Sequence, residues 1–377
     1  MKPRLSIGLI GHGFMGRAHS HALHDLEFFF DPGVAVVRKT LCGIGDDVAG
    51  TAARYGWQGW TNSWEEVIAD PEIDAVSICT PGDAHREIAV AAAQAGKHVL
   101  CEKPLANSLA EALDMYEAAR SAAVKHVVNF NYRKLPAVAL ARRFLQQGRL
   151  GEVRFFRATY FQDWALSPDV PFLWRFDKAK AGAGSMADNG SHIIDLARWL
   201  VGEFAEVAGT AEITVKERRS VEDGAIRPVT TDDTAAFLAR FENGAIGLFA
   251  TNRTSAGHKN ALVFEVTGAR GALVFDLERL NELQVYFYDE APERQGFRTI
   301  MVTDPSHPYI SRWWPPGHVI GWEHGFVHQY YEFVKAIAED ATPSPTFYDG
   351  MKAQAVLEAI ETAWRGKRWA PVPDTEA

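Results

Sequence analysis

Lys103 lies in the stretch Cys101–Leu105 (CEKPL), directly after the short apolar run His98–Leu100. Burial lowers the pKa of a lysine and neighbouring charges adjust it further, so a lysine at the end of a buried strand can transfer protons near neutral pH. A solvated lysine on a surface turn is an equally good interpretation of these residues alone, because lysines are mostly exposed. The remainder of the chain must decide between a catalytic and a structural lysine.

Asp188 and His192 form a second candidate group, within the glycine-rich stretch Gly182–Asp195. The stretch is predicted to lead into a helix that continues through Leu200. Residues four apart share one face of a helix, and Asp195 is close enough in sequence to reach the imidazole as well. A carboxylate–imidazole pair suits proton transfer from a hydroxyl group. The alternative is a helix-capping aspartate and a hydrogen-bonded core histidine.

The segment Gly11–Gly16 (GHGFMG) has the pattern G-x-G-x-x-G between an apolar strand, Leu5–Ile10, and a helical run, 17–23. In that context the first glycine makes a tight turn, the second lets the backbone approach a pyrophosphate, and the third lets helix and strand pack closely. The helix N-terminus then supplies N–H donors to the phosphates. The loop residues predicted to contact a dinucleotide are Gly11, Gly13, Phe14, Met15 and Gly16.

Asp46 is the candidate that would select the nucleotide. It follows the second predicted strand, Arg38–Ile44, although slightly beyond the position where an acidic residue usually binds the adenosine ribose. No arginine follows immediately to bind the 2′-phosphate of NADP. NAD is therefore predicted, with NADP left open. Asp46 could also cap the helix predicted over Val48–Tyr55.

Three further apolar strands, Ala75–Cys79, His98–Cys101 and Val127–Phe130, alternate with helical patterns. This alternation predicts a parallel, doubly wound sheet, which binds ligands at the carboxyl ends of its strands. The residues at those ends are Gly11, Thr80, Glu102 and Lys103. Their common edge favours a functional lysine.

After Gly151 the composition changes to that of β-strands, with a hairpin signal at 242–244 (ENG). A largely antiparallel sheet is predicted, with helices on one face. Its other face would remain apolar and would be buried against another subunit, as in a homodimer or homotetramer. The strands are predicted at 153–160, 207–215, 234–241, 245–252, 261–267, 271–276 and 283–288.

The chain has 377 residues, a net charge of −9 and three cysteines. The length predicts two domains, a dinucleotide-binding domain at 1–131 and a substrate-binding and oligomerisation domain at 132–377. The acidic balance argues against nucleic-acid binding. The apolar runs are too short to span a membrane, and the cysteines are interpreted as buried free thiols. A cytoplasmic protein without a metal site is expected.

In these motifs the chain resembles the glucose–fructose oxidoreductase / inositol dehydrogenase / rhizopine-catabolism (Gfo/Idh/MocA) family of NAD(P)-dependent oxidoreductases. The resemblance covers nearly the whole chain and rests on Gly11–Gly16, Cys79-Thr80-Pro81…His85, Glu102-Lys103-Pro104 and Asp188…His192. Within the family, the chain is most similar to sugar dehydrogenases acting on pyranose or anhydrosugar hydroxyls, the levoglucosan dehydrogenases among them. The segments that carry this closer likeness are 131–133 (NYR), 162–164 (QDW), 174–176 (WRF) and 296–299 (GFRT).

The resemblance implies an N-terminal Rossmann domain, a C-terminal α/β domain with a large open sheet, and hydride transfer between a ring hydroxyl of a sugar, anhydrosugar or inositol-type polyol and a nicotinamide. Catalysis is expected from Lys103, Asp188 and His192. Alternatives are an NAD-dependent glycosidase of the same fold and a non-catalytic nucleotide sensor. The further residues expected at the cofactor are Asp46, Thr80, Pro81, His85, Glu102, Lys103, Asn131, Trp174 and Arg175. Those expected at the substrate are Lys103, Tyr132, Gln162, Arg175, Asp188 and His192.

Overall fold

The computed structural model describes residues 2–375, and contacts divide the chain into two compact units. The first unit contains the residues through Lys134 together with Gly321–Met351, and the second contains Leu135–Ile320 and the residues from Lys352 onward. The sequence pattern gave no indication that Gly321–Met351 would return to the first unit. The predicted boundary between residues 131 and 132 stays a prediction.

In chain order the strands are β1 (Arg4–Ile10), β2 (Ala35–Cys42), β3 (Gly59–Thr61), β4 (Ala75–Ile78), β5 (His98–Cys101), β6 (His126–Val128), β7 (Val153–Phe161), β8 (Phe204–Glu212), β9 (Glu217–Arg219), β10 (Ile226–Pro228), β11 (Thr234–Phe241), β12 (Ile246–Asn252), β13 (Ala261–Gly268), β14 (Gly271–Asp276), β15 (Glu282–Phe287), β16 (Arg298–Met301) and β17 (Ala370–Pro371).

The α-helices are α1 (Phe14–Phe29), α2 (Val48–Tyr55), α3 (Trp64–Ala69), α4 (His85–Gln94), α5 (Leu109–Ser121), α6 (Pro136–Gln146), α7 (Lys178–Ala181), α8 (Ser185–Asp188), α9 (Gly190–Leu200), α10 (His324–Ala338) and α11 (Phe347–Gly366). Among residues 2–375, every helix is too short or too polar to cross a membrane.

The sheet of the first unit has the strand order β3-β2-β1-β4-β5-β6, and all neighbouring strands are parallel. The order reverses between β1 and β4, the switch point at which doubly wound sheets bind ligands. All four residues of β4 are buried, as expected for a parallel strand covered on both faces. The predicted Rossmann fold is confirmed. The short strand β3 was not predicted because it offers only three residues of pattern.

The sheet of the second unit has the order β16-β15-β14-β13-β7-β12-β11-β8-β17, and only β7 and β12 are parallel neighbours within it. The predicted open, mostly antiparallel sheet is confirmed. Residues along β11 alternate between buried and exposed, so that Phe237 packs on Phe249 with ring centroids 4.5 Å apart, while Leu238 points outward. The predicted hairpin joins β11 to β12, with Gly244 in the left-handed region at φ 87°.

One strand ends earlier than predicted. The pattern predicts a strand over 207–215, but β8 ends at Glu212. The N–H groups of Thr214 and Val215 instead donate to one carboxylate oxygen of Asp233, at 2.7 and 2.9 Å. A buried side chain from elsewhere in the unit therefore replaces the neighbouring strand as hydrogen-bond partner, and local sequence does not reveal it.

Candidate active site

The glycine loop joins β1 to α1, and glycine is needed at each of its three glycine positions for a different physical reason. Gly11 has φ 105°, and a Cβ there would lie 2.6 Å from the carbonyl oxygen of Cys79 at the end of β4. A Cβ on Gly16 would overlap the carbonyl oxygen of Gly11. Gly13 differs, because a Cβ there would meet nothing within 4 Å among the described residues. Protein packing therefore does not require glycine at position 13, whereas close approach of a pyrophosphate does.

The predicted dinucleotide fits this loop. Gly13 is the N-cap residue of α1, which has no side-chain cap, so the first N–H groups of the helix point towards the open loop. The first turn of α1 carries no acidic side chain that would repel phosphate. At the neighbouring strand end, Oγ1 of Thr80 is buried without a hydrogen-bond partner among the described residues. The N–H groups at the start of α1 and the Thr80 hydroxyl are hydrogen-bond donors of the kind that bind the pyrophosphate of a dinucleotide cofactor.

An aromatic wall borders the same loop. Phe14 is 61% exposed, and its ring stacks on Trp322 with centroids 5.8 Å apart and an interplanar angle of 12°. The indole N–H of Trp322 donates to the hydroxyl of Tyr132 at 3.2 Å. The structure thus connects a predicted cofactor residue to a predicted substrate residue. Trp322 itself was not predicted, because it lies in the segment that returns to the first unit from far along the chain.

Asp46 is exposed beyond the end of β2, and Met15 is half-buried in α1. The N-cap position of α2 belongs to Asp47 and not to Asp46, and the Asp47 side chain makes no capping bond. Oδ1 of Asp47 lies 3.2 Å from Nε2 of His12, within the glycine loop. The capping alternative for Asp46 was therefore wrong, and its predicted contact with the ribose stays a prediction.

His85 supports the strand ends. Its side chain is buried, with Nε2 at 3.0 Å from the carbonyl oxygen of Thr80 and Nδ1 at 3.2 Å from those of Pro104 and Leu105. Both ring nitrogens are thus directed at the backbone that follows β4 and β5. This geometry fixes the segment containing Pro81 and the segment containing Lys103 relative to each other. A direct cofactor contact by His85 stays a prediction.

Glu102 and Lys103 follow β5, as the pattern predicted. Lys103 is half-buried, whereas Glu102 is buried and accepts the backbone N–H of Lys103 at 3.1 Å. The other carboxylate oxygen meets Nε2 of His19 at 2.8 Å and the amide of Asn129 at 2.7 Å. The predicted cofactor residue Asn131 lies in a buried turn shortly after β6. The strand end that carries Lys103 is therefore held by buried side chains from α1 and from the end of β6.

The three cysteines are free thiols, as predicted. Burial raises the pKa of Cys42 to about 11, with smaller contributions from Glu65 and Glu66. Burial likewise raises the pKa of Cys79 and of Cys101, and the charge of Glu102 adds to both effects. None of the three is poised as a nucleophile, because a reactive cysteine needs a lowered pKa. Acid–base chemistry is left to the other candidates.

In the second unit, Asp188 ends α8 and His192 lies in the first turn of α9. The single predicted helix is thus divided at Asn189, which keeps helical dihedrals (φ −86°, ψ −42°). Asp188 is partly exposed, and one of its oxygens lies 3.9 Å from Nε of Arg175. The His192 ring is buried, with its centroid 5.9 Å from that of Tyr160.

The amide of Gln162 is held from both ends. It donates to Asn260 at 2.7 Å and accepts from the indole of Trp164 at 3.2 Å and from Asn189 at 3.3 Å. The guanidinium of Arg175 stacks on Trp174 with 4.4 Å between its central carbon and the ring centroid. The side chains of Gln162 and Arg175, two of the predicted substrate residues, are therefore oriented by their neighbours.

Family patterns match most of the chain. The pattern described as "Oxidoreductase family, NAD-binding Rossmann fold" matches residues 5–130, and the GFO/IDH/MocA C-terminal domain matches residues 138–274. The chain belongs to the Gfo/Idh/MocA oxidoreductase family. It is accordingly an oxidoreductase with an NAD-binding Rossmann domain, which agrees with the glycine loop described above.

Similar proteins and solved structures cover almost the whole chain. A levoglucosan dehydrogenase of Pseudarthrobacter phenanthrenivorans is 42% identical, over 99% of this chain and 99% of that protein. The crystal structure of an oxidoreductase domain protein from Kribbella flavida has a TM-score of 0.96 and 47% identity, covering 99% of this chain and 100% of the other. A levoglucosan dehydrogenase in complex with NADH and levoglucosan has a TM-score of 0.95 and 42% identity, covering 98% and 99%.

Proposed function

We propose that this protein oxidises a ring hydroxyl of an anhydrosugar or pyranose to a carbonyl, with NAD as hydride acceptor and levoglucosan as the first substrate to test. The observation that carries this proposal is the 42% identity to a levoglucosan dehydrogenase over 99% of both chains. It is supported by the presence of Lys103, Asp188 and His192 in the order that the family resemblance requires, although Ser185-Met186-Ala187 precedes the aspartate where the family is usually richer in glycine.

In the proposed reaction the substrate carbinol loses a hydride from carbon and a proton from oxygen, and a carbonyl forms. Bound NAD supplies the hydride acceptor. His192 takes the hydroxyl proton as general base, and Lys103 stabilises the negative charge that develops on the oxygen. Asp188 accepts hydrogen bonds from the substrate and orients the imidazole. Arg175 approaches this carboxylate, with its Nε 3.9 Å from one of the oxygens.

The sugar-binding side of the proposal is supported by the second unit. Gln162, Arg175 and Asp188 offer amide, guanidinium and carboxylate groups, which are the groups that recognise vicinal hydroxyls. Trp174 provides an apolar surface beside them, on which the C–H face of a pyranose ring can pack. Gln162 is already oriented by hydrogen bonds and Arg175 by its stacking on Trp174, so these two side chains would need little reordering when substrate binds.

The test is nicotinamide absorbance during incubation of the purified protein with NAD and levoglucosan, beside NADP and a panel of pyranosides and inositols. Reduction of NAD by levoglucosan is the expected result. If only another polyol reduces NAD, that polyol would replace levoglucosan as the proposed substrate, and the proposed dehydrogenase activity would stand. Release of free sugar from glycosides without net NAD reduction would favour the glycosidase alternative. No reduction by any compound of the panel would contradict the proposed function.

We further propose that the outer face of the large sheet forms a homodimer or homotetramer. Leu238, Ile246 and Leu248 are 44%, 52% and 44% exposed on neighbouring strands of this face. Leu238 and Leu248 stand directly opposite each other across β11 and β12. Arg240 and Arg157 lie beside them on the same face, in ion pairs with Glu206 and Glu265. An apolar centre with a charged rim is typical of a subunit interface.

A further inference from the structure

A short segment before β11, Thr230–Asp233, holds the chain that carries Asp188. The carboxylate of Asp232 accepts the N–H groups of Gly184 and Met186, both at 2.7 Å, and its main-chain carbonyl accepts the N–H of Ser185 at 2.9 Å. Three consecutive donors thus go to one buried residue. A Cβ on Gly184 would overlap the Asp232 carbonyl oxygen, which explains a glycine at that position.

The same segment holds the turn that carries Arg175. The Thr231 hydroxyl donates to the Arg175 carbonyl at 2.9 Å, and the N–H of Thr230 donates to the Phe176 carbonyl at 3.0 Å. Arg253 reinforces this connection, because its guanidinium donates to the Arg175 carbonyl at 3.2 Å and to the Thr231 hydroxyl at 2.9 Å.

The network is buried and charged. Arg253 is 1% exposed, Asp233 is 0% exposed, and Nε of Arg253 donates to Oδ1 of Asp233 at 2.9 Å. Burial raises the pKa of Asp232, although the N–H groups of Met186 and Gly184 and the charge of Arg253 oppose the effect. Well-packed apolar residues often stabilise a core as much as buried ion pairs do. Stability alone therefore does not explain why charged residues are buried here. Directional hydrogen bonds that fix the two backbone turns do explain it.

We propose that the segment Thr230–Asp233, together with Arg253, positions Arg175 and Asp188 relative to each other for sugar binding and catalysis. This inference rests on the function proposed above. The 3.9 Å approach of the Arg175 and Asp188 side chains is then the result of two turns fixed by one segment. None of the positioning residues is assigned a contact with the substrate.

Thr231→Val tests the proposal with little change in shape, and Thr231→Ser is its matched control because it restores the hydroxyl. Displacing a substrate-positioning turn by about 1 Å can reduce the rate about 100-fold. Thr231→Val is therefore expected to lower kcat/KM for levoglucosan about 10- to 100-fold, and Thr231→Ser is expected to recover most of the loss. Equal losses in the two variants would contradict the proposal.

Asp232→Asn tests whether Asp232 positions the turn that carries Asp188, and Glu203→Gln is its control. Glu203 pairs with the buried Arg198 at 2.6 Å in the same unit, so its substitution also removes the partner of a buried arginine. Asp232→Asn is expected to lower kcat about tenfold or more, whereas Glu203→Gln is expected to alter the melting temperature and not kcat.

Hydrogen exchange measured by mass spectrometry separates positioning from general destabilisation. In Asp232→Asn, exchange is expected to rise in peptides covering 184–188, and Glu203→Gln is expected to leave those peptides protected. In Asp232→Asn, faster exchange with unchanged kinetics would contradict the positioning role. Unchanged exchange would contradict the view that the Asp232 carboxylate holds residues 184–188. If the wild-type protein reduces no NAD with any sugar, the proposed function fails, and the exchange data still decide whether the segment holds these turns.

Discussion

The Nε2 atom of His19 lies 2.8 Å from Oε1 of Glu102, and both side chains are buried in the first unit. Nδ1 of the same imidazole meets the hydroxyl of Tyr330 at 2.8 Å, and that hydroxyl donates to Ser77 at 2.7 Å. The carboxylate that precedes Lys103 is therefore the end of a buried polar chain that includes a residue of α10. This series of buried hydrogen bonds fixes the strand end that carries Lys103 to the interior of its unit.

Glu102→Gln is expected to lower stability at neutral pH by about 1–3 kcal/mol, because buried donors lose a charged acceptor. Burial by itself would raise the pKa of Glu102, but the hydrogen bond and charge of His19, the charge of Lys103 and the hydrogen bond of Asn129 hold the pKa below its ordinary value. A lowered carboxylate pKa contributes stability that is present above the unfolded pKa, about 4.3, and is lost as pH falls through the folded value.

The measurement is the urea midpoint of wild type and Glu102→Gln between neutral pH and the acid range. The difference between the two proteins is expected to be largest near neutral pH and to shrink below the unfolded pKa of about 4.3. Glu339→Gln, at an exposed carboxylate of the same unit, is the control and should track the wild type throughout. A Glu102→Gln difference that stays constant with pH would contradict the assignment of an ionised carboxylate.

Gly13→Ala is expected to weaken NAD binding at least about tenfold while leaving the fold intact. The added methyl group would meet no protein atom within 4 Å, but it would enter the space through which a pyrophosphate approaches the backbone. NADH binding can be followed by fluorescence titration, and the melting temperature reports the fold.

Gly16→Ala is the matched control, because the same methyl group would there overlap the carbonyl oxygen of Gly11. It is expected to lower stability by roughly 1–3 kcal/mol, the usual cost of overpacking. Normal NADH affinity in Gly13→Ala would remove this glycine from the cofactor site.

Features with a short-range period could be predicted from the sequence. The glycine loop, the hairpin at Gly244 and the strand–helix alternation of the first unit each lie within a few residues of the pattern that reveals them. The strand predicted over 234–241 likewise coincides with β11. These signals are local because the backbone geometry of helices, strands and tight turns repeats over a few residues.

Features that depend on distant partners could not be predicted. Trp322 meets Tyr132 across 190 positions of sequence, and Asp232 meets Gly184 across 48. Nothing in the local composition of Thr230–Asp233 distinguishes it from an ordinary polar connection before a strand. His85 shows the complementary limit, because its place in a motif suggested the cofactor while the structure directs its ring at backbone carbonyls.

His192→Ala and Lys103→Met are each expected to reduce kcat about 100- to 10,000-fold, the range for loss of a general acid or base. NADH affinity should change little in His192→Ala, because the glycine loop belongs to the other unit. The control is Lys125→Met, at a lysine paired with the exposed Asp340 in the same unit as Lys103. Near-normal turnover in Lys103→Met would return this lysine to a structural role, and near-normal turnover in His192→Ala would require another base.

Leu248→Glu is expected to dissociate the proposed oligomer, because its side chain lies on the outer face of the large sheet directly opposite Leu238, in the apolar part of that face. A carboxylate buried at such an interface would lose its hydration, and Arg157, which faces position 248 from β7, is already paired with Glu265 at 2.6 Å, so the new charge opposes association. Val221→Glu is the control, since Val221 is 76% exposed and lies outside the nine strands of that sheet. Light scattering coupled to size exclusion should give a smaller mass for Leu248→Glu alone. A wild-type protein that is monomeric at micromolar concentration, or a Leu248→Glu mass equal to that of the wild type, would contradict the interface.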